Sequence, residues 1–138
     1  MFGFLTRQRY QYACMFVDHH YGFTCIHLLK SQTGDEAFES REYFWAYVES
    51  YGVDIKHHHA YNGIFRIAPW MNHCKDINQG LTFSGFNSCC QNGQEERRIR
   101  SLQDMTRCQM IHSNIQWPSE IRANLWPDAI CHTAAIIN

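Results

Sequence analysis

Two runs of strand-forming residues, 10–18 (YQYACMFVD) and 23–29 (FTCIHLL), flank His19-His20-Tyr21-Gly22. Such runs joined by a short turn read as an antiparallel hairpin, which commits the first fifth of the chain to β structure. An isolated hairpin is barely stable in water, so another element must cover it. Thr33-Gly34-Asp35-Glu36 has the spacing of a capping box. The residues after it place Phe38, Trp45 and Val48 on one side of a helix that Gly52 stops, and this helix is expected to cover one face of the hairpin.

Residues 53–56 (VDIK) alternate apolar and polar, as a strand with one buried face does, and run into His57-His58-His59 before Asn62-Gly63 turns the chain. This strand delivers Tyr61. A short helix is expected over residues 70–76 and a strand over 81–84, bounded by Gly80 and Gly85, and after them the polar loop GFNSCCQNGQ. Residues 95–115 contain no Gly or Pro, open with two acids and carry Arg97, Arg98 and Arg100, as a long helix with a basic first half would. Trp117-Pro118 and Trp126-Pro127 then predict a short helix and a last one ending in AAIIN. The order strand, strand, helix, strand, helix, strand, helix, helix is a mixed α/β pattern.

Composition narrows the function classes. With 138 residues, 45% of them apolar and 14% aromatic, the chain suits one globular domain spanning residues 1–138, without linkers, low-complexity runs or repeats. Twelve basic and thirteen acidic side chains leave a net charge of −1, so any basic surface for nucleic acid must be local. No apolar run approaches the roughly 20 residues that span a bilayer, and the opening MFGFLTRQR does not read as a secretory signal, which points to an intracellular protein without a membrane partner. Seven cysteines, at 14, 25, 74, 89, 90, 108 and 131, form no C-x-x-C pair and read as reduced and mostly structural.

Four segments, FVDHHYGFTCIHLLKSQTGDEA, HHHAYNG, CCQNGQEERRIRSLQD and LWPDAICHTAAIIN, resemble successive blocks of the integrase catalytic core of copia-type LTR retrotransposons, a branch of the retroviral-integrase superfamily. The resemblance runs from Arg9 to Asn138. It implies a ribonuclease H-like mixed sheet flanked by helices, Mg²⁺ as cofactor, DNA as partner, multimeric assembly and a nuclear location. QNGQEERRIR is similar to the family's Q-N-G-x-x-E-R segment, whose glutamate binds metal and completes an Asp, Asp, Glu triad; the resemblance gives that role to Glu96. The family's second aspartate sits in an H-x-D-N-G block, matched here at His59, Asn62 and Gly63, but its place is taken by Tyr61. Tyr61 and Glu96 are 35 positions apart, close to the family's separation of its second acid from its glutamate.

A phenol with an unperturbed pKa of about 10 is neutral near pH 7 and a poor Mg²⁺ ligand. The family's first aspartate lies on a strand ahead of the hairpin; nine residues precede Tyr10, and none is acidic. The resemblance therefore implies a truncated, degenerate core lacking its first, central strand, with Glu96 as the surviving acid. Asp18 falls in the family's second strand, where it has no metal role, and it suits the turn it precedes. Lys56, Asn62, Gln91, Asn92, Arg97, Arg98 and Arg100 fall in the family's DNA-facing region; the plainer reading of the arginines is a solvated helix face paired with Glu95 and Glu96.

Two other readings come from different classes. One is a non-catalytic nucleic-acid-binding or oligomerisation module on the same scaffold. The other takes His57 and His59, which share a strand face, as metal ligands and Tyr61 as a nucleophile, as in rolling-circle nucleases. Against the latter, the middle residue is His58 and not a hydrophobe, and that family's tyrosine sits on a separate downstream helix.

Overall fold

The computed structural model describes residue 6, residues 8–85 and residues 92–138. The chain divides into two compact units, Met1–Ser31 with Gln94–Asn138, and Gln32–Gly93.

The first unit contains the expected hairpin. Strands β1 (Tyr12–Val17) and β2 (Thr24–Leu29) pair antiparallel, with Tyr12 opposite Leu29 and Val17 opposite Thr24. Asp18 builds the turn: its carboxylate accepts from the Tyr21 N–H, its carbonyl accepts from Gly22 at 2.9 Å, and its own N–H donates to Phe23. Gly22 has φ +74°, in the left-handed region that glycine adopts without a Cβ penalty. The long helix α3 (Gly93–Gln116) and helix α4 (Trp126–Ile137) complete the unit. Pro127 lies in the first turn of α4, where its missing N–H costs nothing.

Helix α4 packs on β2. Its C-cap Asn138 exchanges two hydrogen bonds with the backbone of Thr24, at 2.8 and 2.7 Å, so a side-chain amide takes the place of a neighbouring strand's peptide group. Cys14, Cys25, Leu29, Leu102, Trp126 and Ala134 are the buried apolar residues of this unit. The Thr133 hydroxyl sits among Thr106, Gln109 and the Ala129 carbonyl at 2.8–3.1 Å, tying α4 to α3. The short helix expected after Trp117-Pro118 is a turn over residues 118–120, and the helical piece comes later, as a 3₁₀ turn at Ala123–Leu125. Arg122 between them is extended, which separates the two.

The second unit runs α1 (Gly34–Glu49), β3 (His57–Ala60), α2 (Ala68–Asp76), β4 (Gly80–Phe83). Thr33 caps α1 by accepting from the Glu36 N–H, as the capping-box spacing requires. Gly52, at φ +69°, ends the helix by donating to Glu49. The fully buried stripe of α1 is Ala37, Ser40, Arg41 and Phe44; the expected Phe38, Trp45 and Val48 are half-buried at its margins. The stripe is rotated because Arg41, a charged residue, points inward.

Strand β3 begins four residues later than the alternation at residues 53–56 predicts. Val53 is exposed and its N–H closes on the Val48 carbonyl, so it belongs to the end of α1, and the ladder starts where the Lys56 carbonyl accepts from Gly80. Strands β3 and β4 are parallel, His57 opposite Gly80 and Ala60 opposite Phe83, with α2 as the crossover that parallel pairing demands. Among the described residues the β structure is thus one antiparallel pair and one parallel pair, each with its own helices. The strand expected to be missing falls before Tyr10, where residues 1–5 and 7 lie outside the described residues. No helix among the described residues is long and apolar enough to cross a membrane.

Candidate functional site

Tyr61 comes directly after the last residue of β3 and is half-buried. Asn62 and Gly63 bend the chain away from it, Gly63 at φ +131°, and the Gly63 carbonyl accepts from Arg66 at 2.9 Å. The strand end and glycine bend thus lie where the sequence placed them. Asn62 is exposed. Lys56, also exposed, is paired with Asp54.

Glu96 lies in the first turn of α3 and is half-buried. Three of its neighbours hold the hairpin turn. Gln94 Nε2 donates to the His19 carbonyl, His19 Nε2 is 2.8 Å from Glu95 Oε1, and Arg98 donates to the Gly22 carbonyl at 2.8 Å. A Cβ on Gly22 would lie 2.7 Å from the Arg98 guanidinium, so glycine there also makes room for the arginine. Glu95 therefore pairs with His19, and Arg98 is a turn clamp where a solvated face was expected. Arg97 and Arg100 are exposed, and a surface depression of about 300 Å³ is lined by Gln94, Arg97, Arg98 and Ser101. Asn92 is 2% exposed, with its side-chain oxygen unpartnered, so its amide is not presented to a solvent-borne phosphate. Gln91 lies outside the described residues.

Mg²⁺ takes oxygen ligands, and a two-metal centre needs several carboxylates together. Among the described residues no group of three or more His, Cys, Asp or Glu could hold a metal ion.

The feature that sequence reasoning missed is the buried polar centre of the second unit. Arg41 has a fully buried side chain, donates to Glu42 at 2.6 Å and to Gln79 at 3.0 Å, and lies over the Trp45 and Trp70 rings at 4.7 and 5.7 Å. Gln79 in turn donates to the Ile55 carbonyl at 2.6 Å. His58 points into the same interior, edge-on to Trp70. Burial, reinforced by the Arg41 charge, lowers its imidazole from 6.5 to about 4. The strand alternation was the available signal for His58, since it sets residue 58 opposite 57 and 59. Nothing local marks Arg41 as buried.

Five cysteines in the described residues are free. Cys14, Cys25 and Cys74 are buried, as structural thiols would be, whereas Cys108 and Cys131 are exposed; Cys89 and Cys90 lie outside the described residues. Burial, with Cys131 nearby, pushes the Cys25 thiol up to about 11.

No protein-family model and no curated protein matches the sequence. Solved structures do. A chain in the cryo-EM structure of a simian T-cell lymphotropic virus intasome in complex with the PP2A regulatory subunit B56 gamma superposes with a TM-score of 0.67 at 19% identity, over 92% of this chain. The HTLV-2 integrase catalytic core domain, in complex with magnesium and in a trimeric form, superposes with a TM-score of 0.63 at 16% identity, over 96% of this chain and 78% of its own. This chain spans 43% of the intasome chain's length. The fold is that of an integrase catalytic core, ribonuclease H-like, as the family resemblance implied.

Proposed function

We propose that this chain is a degenerate integrase core of the copia retrotransposon type, in which the scaffold persists without the Mg²⁺-dependent 3′ processing and DNA strand transfer of that family. The observation that carries the proposal is Tyr61, which stands directly after β3 at the head of the Asn62-Gly63 bend, where the family motif has an aspartate. The integrase-core fold supports the assignment of that position, and Glu96 in the first turn of α3 supports the surviving acid. Metal placement works as a unit, so loss of a ligand should abolish the chemistry and not merely slow it. The test is a strand-transfer assay with the purified chain, DNA ends and Mg²⁺. No product is expected; product that disappears in Glu96→Gln would overturn the proposal.

The exposed Arg97 and Arg100 favour a second reading, a non-catalytic DNA-binding module using this face of α3. Binding through two phosphate contacts should weaken with salt, with a log–log slope near −2 at most from these residues. Arg97→Ala with Arg100→Ala should remove that dependence, and salt-independent binding would count against the reading. Self-association, as in the trimeric neighbour, and a nuclear location belong to the same proposal.

A further inference from the structure

We infer that the outward face of β3 is a bidentate site for a borderline transition-metal ion such as Ni²⁺ or Zn²⁺, held by His57 Nε2 and His59 Nδ1. Two-residue periodicity puts these rings on one exposed face while His58 is buried on the other. The rings also converge. His57 Nε2 lies 2.9 Å and His59 Nδ1 2.8 Å from the same atom, the Thr82 hydroxyl on β4.

The chemistry of that hydroxyl matters. It carries one proton and donates to one nitrogen at a time, so when it donates to either ring, that ring's bare lone pair is aimed at the shared point. The other ring reaches the same state by exchanging tautomers. The point the two rings share is the Thr82 oxygen itself, so a bound ion replaces these hydrogen bonds, with both rings turned away from Thr82 to meet it beside the hydroxyl.

Gly80 fixes one of the rings. A Cβ at that position would collide with His57 Nδ1, so glycine lets the imidazole lie against β4 instead of swinging free. No third His, Cys, Asp or Glu joins the pair among the described residues, which leaves the remaining coordination to water. Imidazole pairs select borderline ions, and Mg²⁺ prefers oxygen donors. The site is therefore an open, exchangeable one, chemically distinct from any carboxylate centre and independent of the reading of Tyr61 and Glu96.

Paramagnetic Ni²⁺ is the probe, titrated into the full ¹⁵N-labelled chain at neutral pH with thiols kept reduced. Substoichiometric Ni²⁺ should first broaden the amide signals of His57–Ala60 and Gly80–Phe83, and a tenfold excess of Mg²⁺ should not displace it. His57→Gln and His59→Gln, both exposed and each verified as folded by the same spectra, should each weaken binding at least tenfold. Broadening that begins elsewhere, survives in a variant carrying both substitutions, or is absent at one equivalent of Ni²⁺ would overturn the inference.

Discussion

The two units bury different chemistry. In the unit built from the hairpin, α3 and α4, the interior includes Leu29, Leu102, Trp126 and Ala134, and its buried polar residues among those described are threonines, Thr6, Thr24, Thr106 and Thr133. In the unit of α1, α2, β3 and β4, Ala37, Phe44 and Trp70 share the interior with a guanidinium and an imidazole, Arg41 and His58. Hydroxyls lose modest solvation on burial and regain it in hydrogen bonds. A buried charge loses far more, and its partners must be well placed to compensate. Arg41 has Glu42, Gln79 and two indole rings around it, and His58 is buried edge-on to one of those rings, Trp70. The second unit is therefore the more sensitive to charge and pH.

The largest expected effect comes from breaking that centre. Arg41→Ala removes the partner of Gln79, both ring contacts and the filled volume, and should cost about 4 kcal/mol in urea unfolding. Arg41→Met keeps the volume without the charge and should fall within about 1 kcal/mol of the parent. An equal loss in both variants would show that the charge, and not the packing, holds the unit.

Acid should act next most strongly. His58 in the unfolded chain takes up a proton near pH 6.5, whereas the buried ring resists it until about 4, so between these values the unfolded state binds more protons. Stability should be full above about pH 6.5, fall by roughly 3 kcal/mol as the pH drops to about 4, and level off below. Denaturant melts across this range check the slope, and His58→Leu should flatten it. The smallest effect belongs to the first unit. Thr133→Val leaves Gln109 and Thr106 short of one partner and should cost about 1 kcal/mol, with no new pH dependence.

The elements legible from sequence were those with a local cause. The Asp18–Gly22 turn, the Thr33 cap, the Gly52 stop and the unbroken run of α3 were visible because each depends on residues within a few positions of one another. The start of β3 was misread because Val53 looks like a strand residue but closes the end of α1. Arg41 was invisible because its burial depends on Trp70 and Gln79, some thirty to forty positions away. Thr82 was invisible for the same reason: its place beside His57 and His59 is set by the parallel register that α2 creates. Of the candidate site, the positions of Tyr61, Asn62 and Glu96 on their elements were legible. The burial of Asn92 was not, and neither was the clamp between Arg98 and Gly22, which joins residues 76 positions apart in the chain.

Under the proposed function, Tyr61 puts a phenol where the integrase family's metal centre has a carboxylate. Isothermal titration of Mg²⁺ into the purified chain and into its Tyr61→Asp and Glu96→Gln variants tests this most directly. No binding heat is expected from the parent or from Glu96→Gln at millimolar Mg²⁺, and Tyr61→Asp should gain affinity. Stoichiometric Mg²⁺ binding by the parent that is lost in Glu96→Gln would contradict the claim.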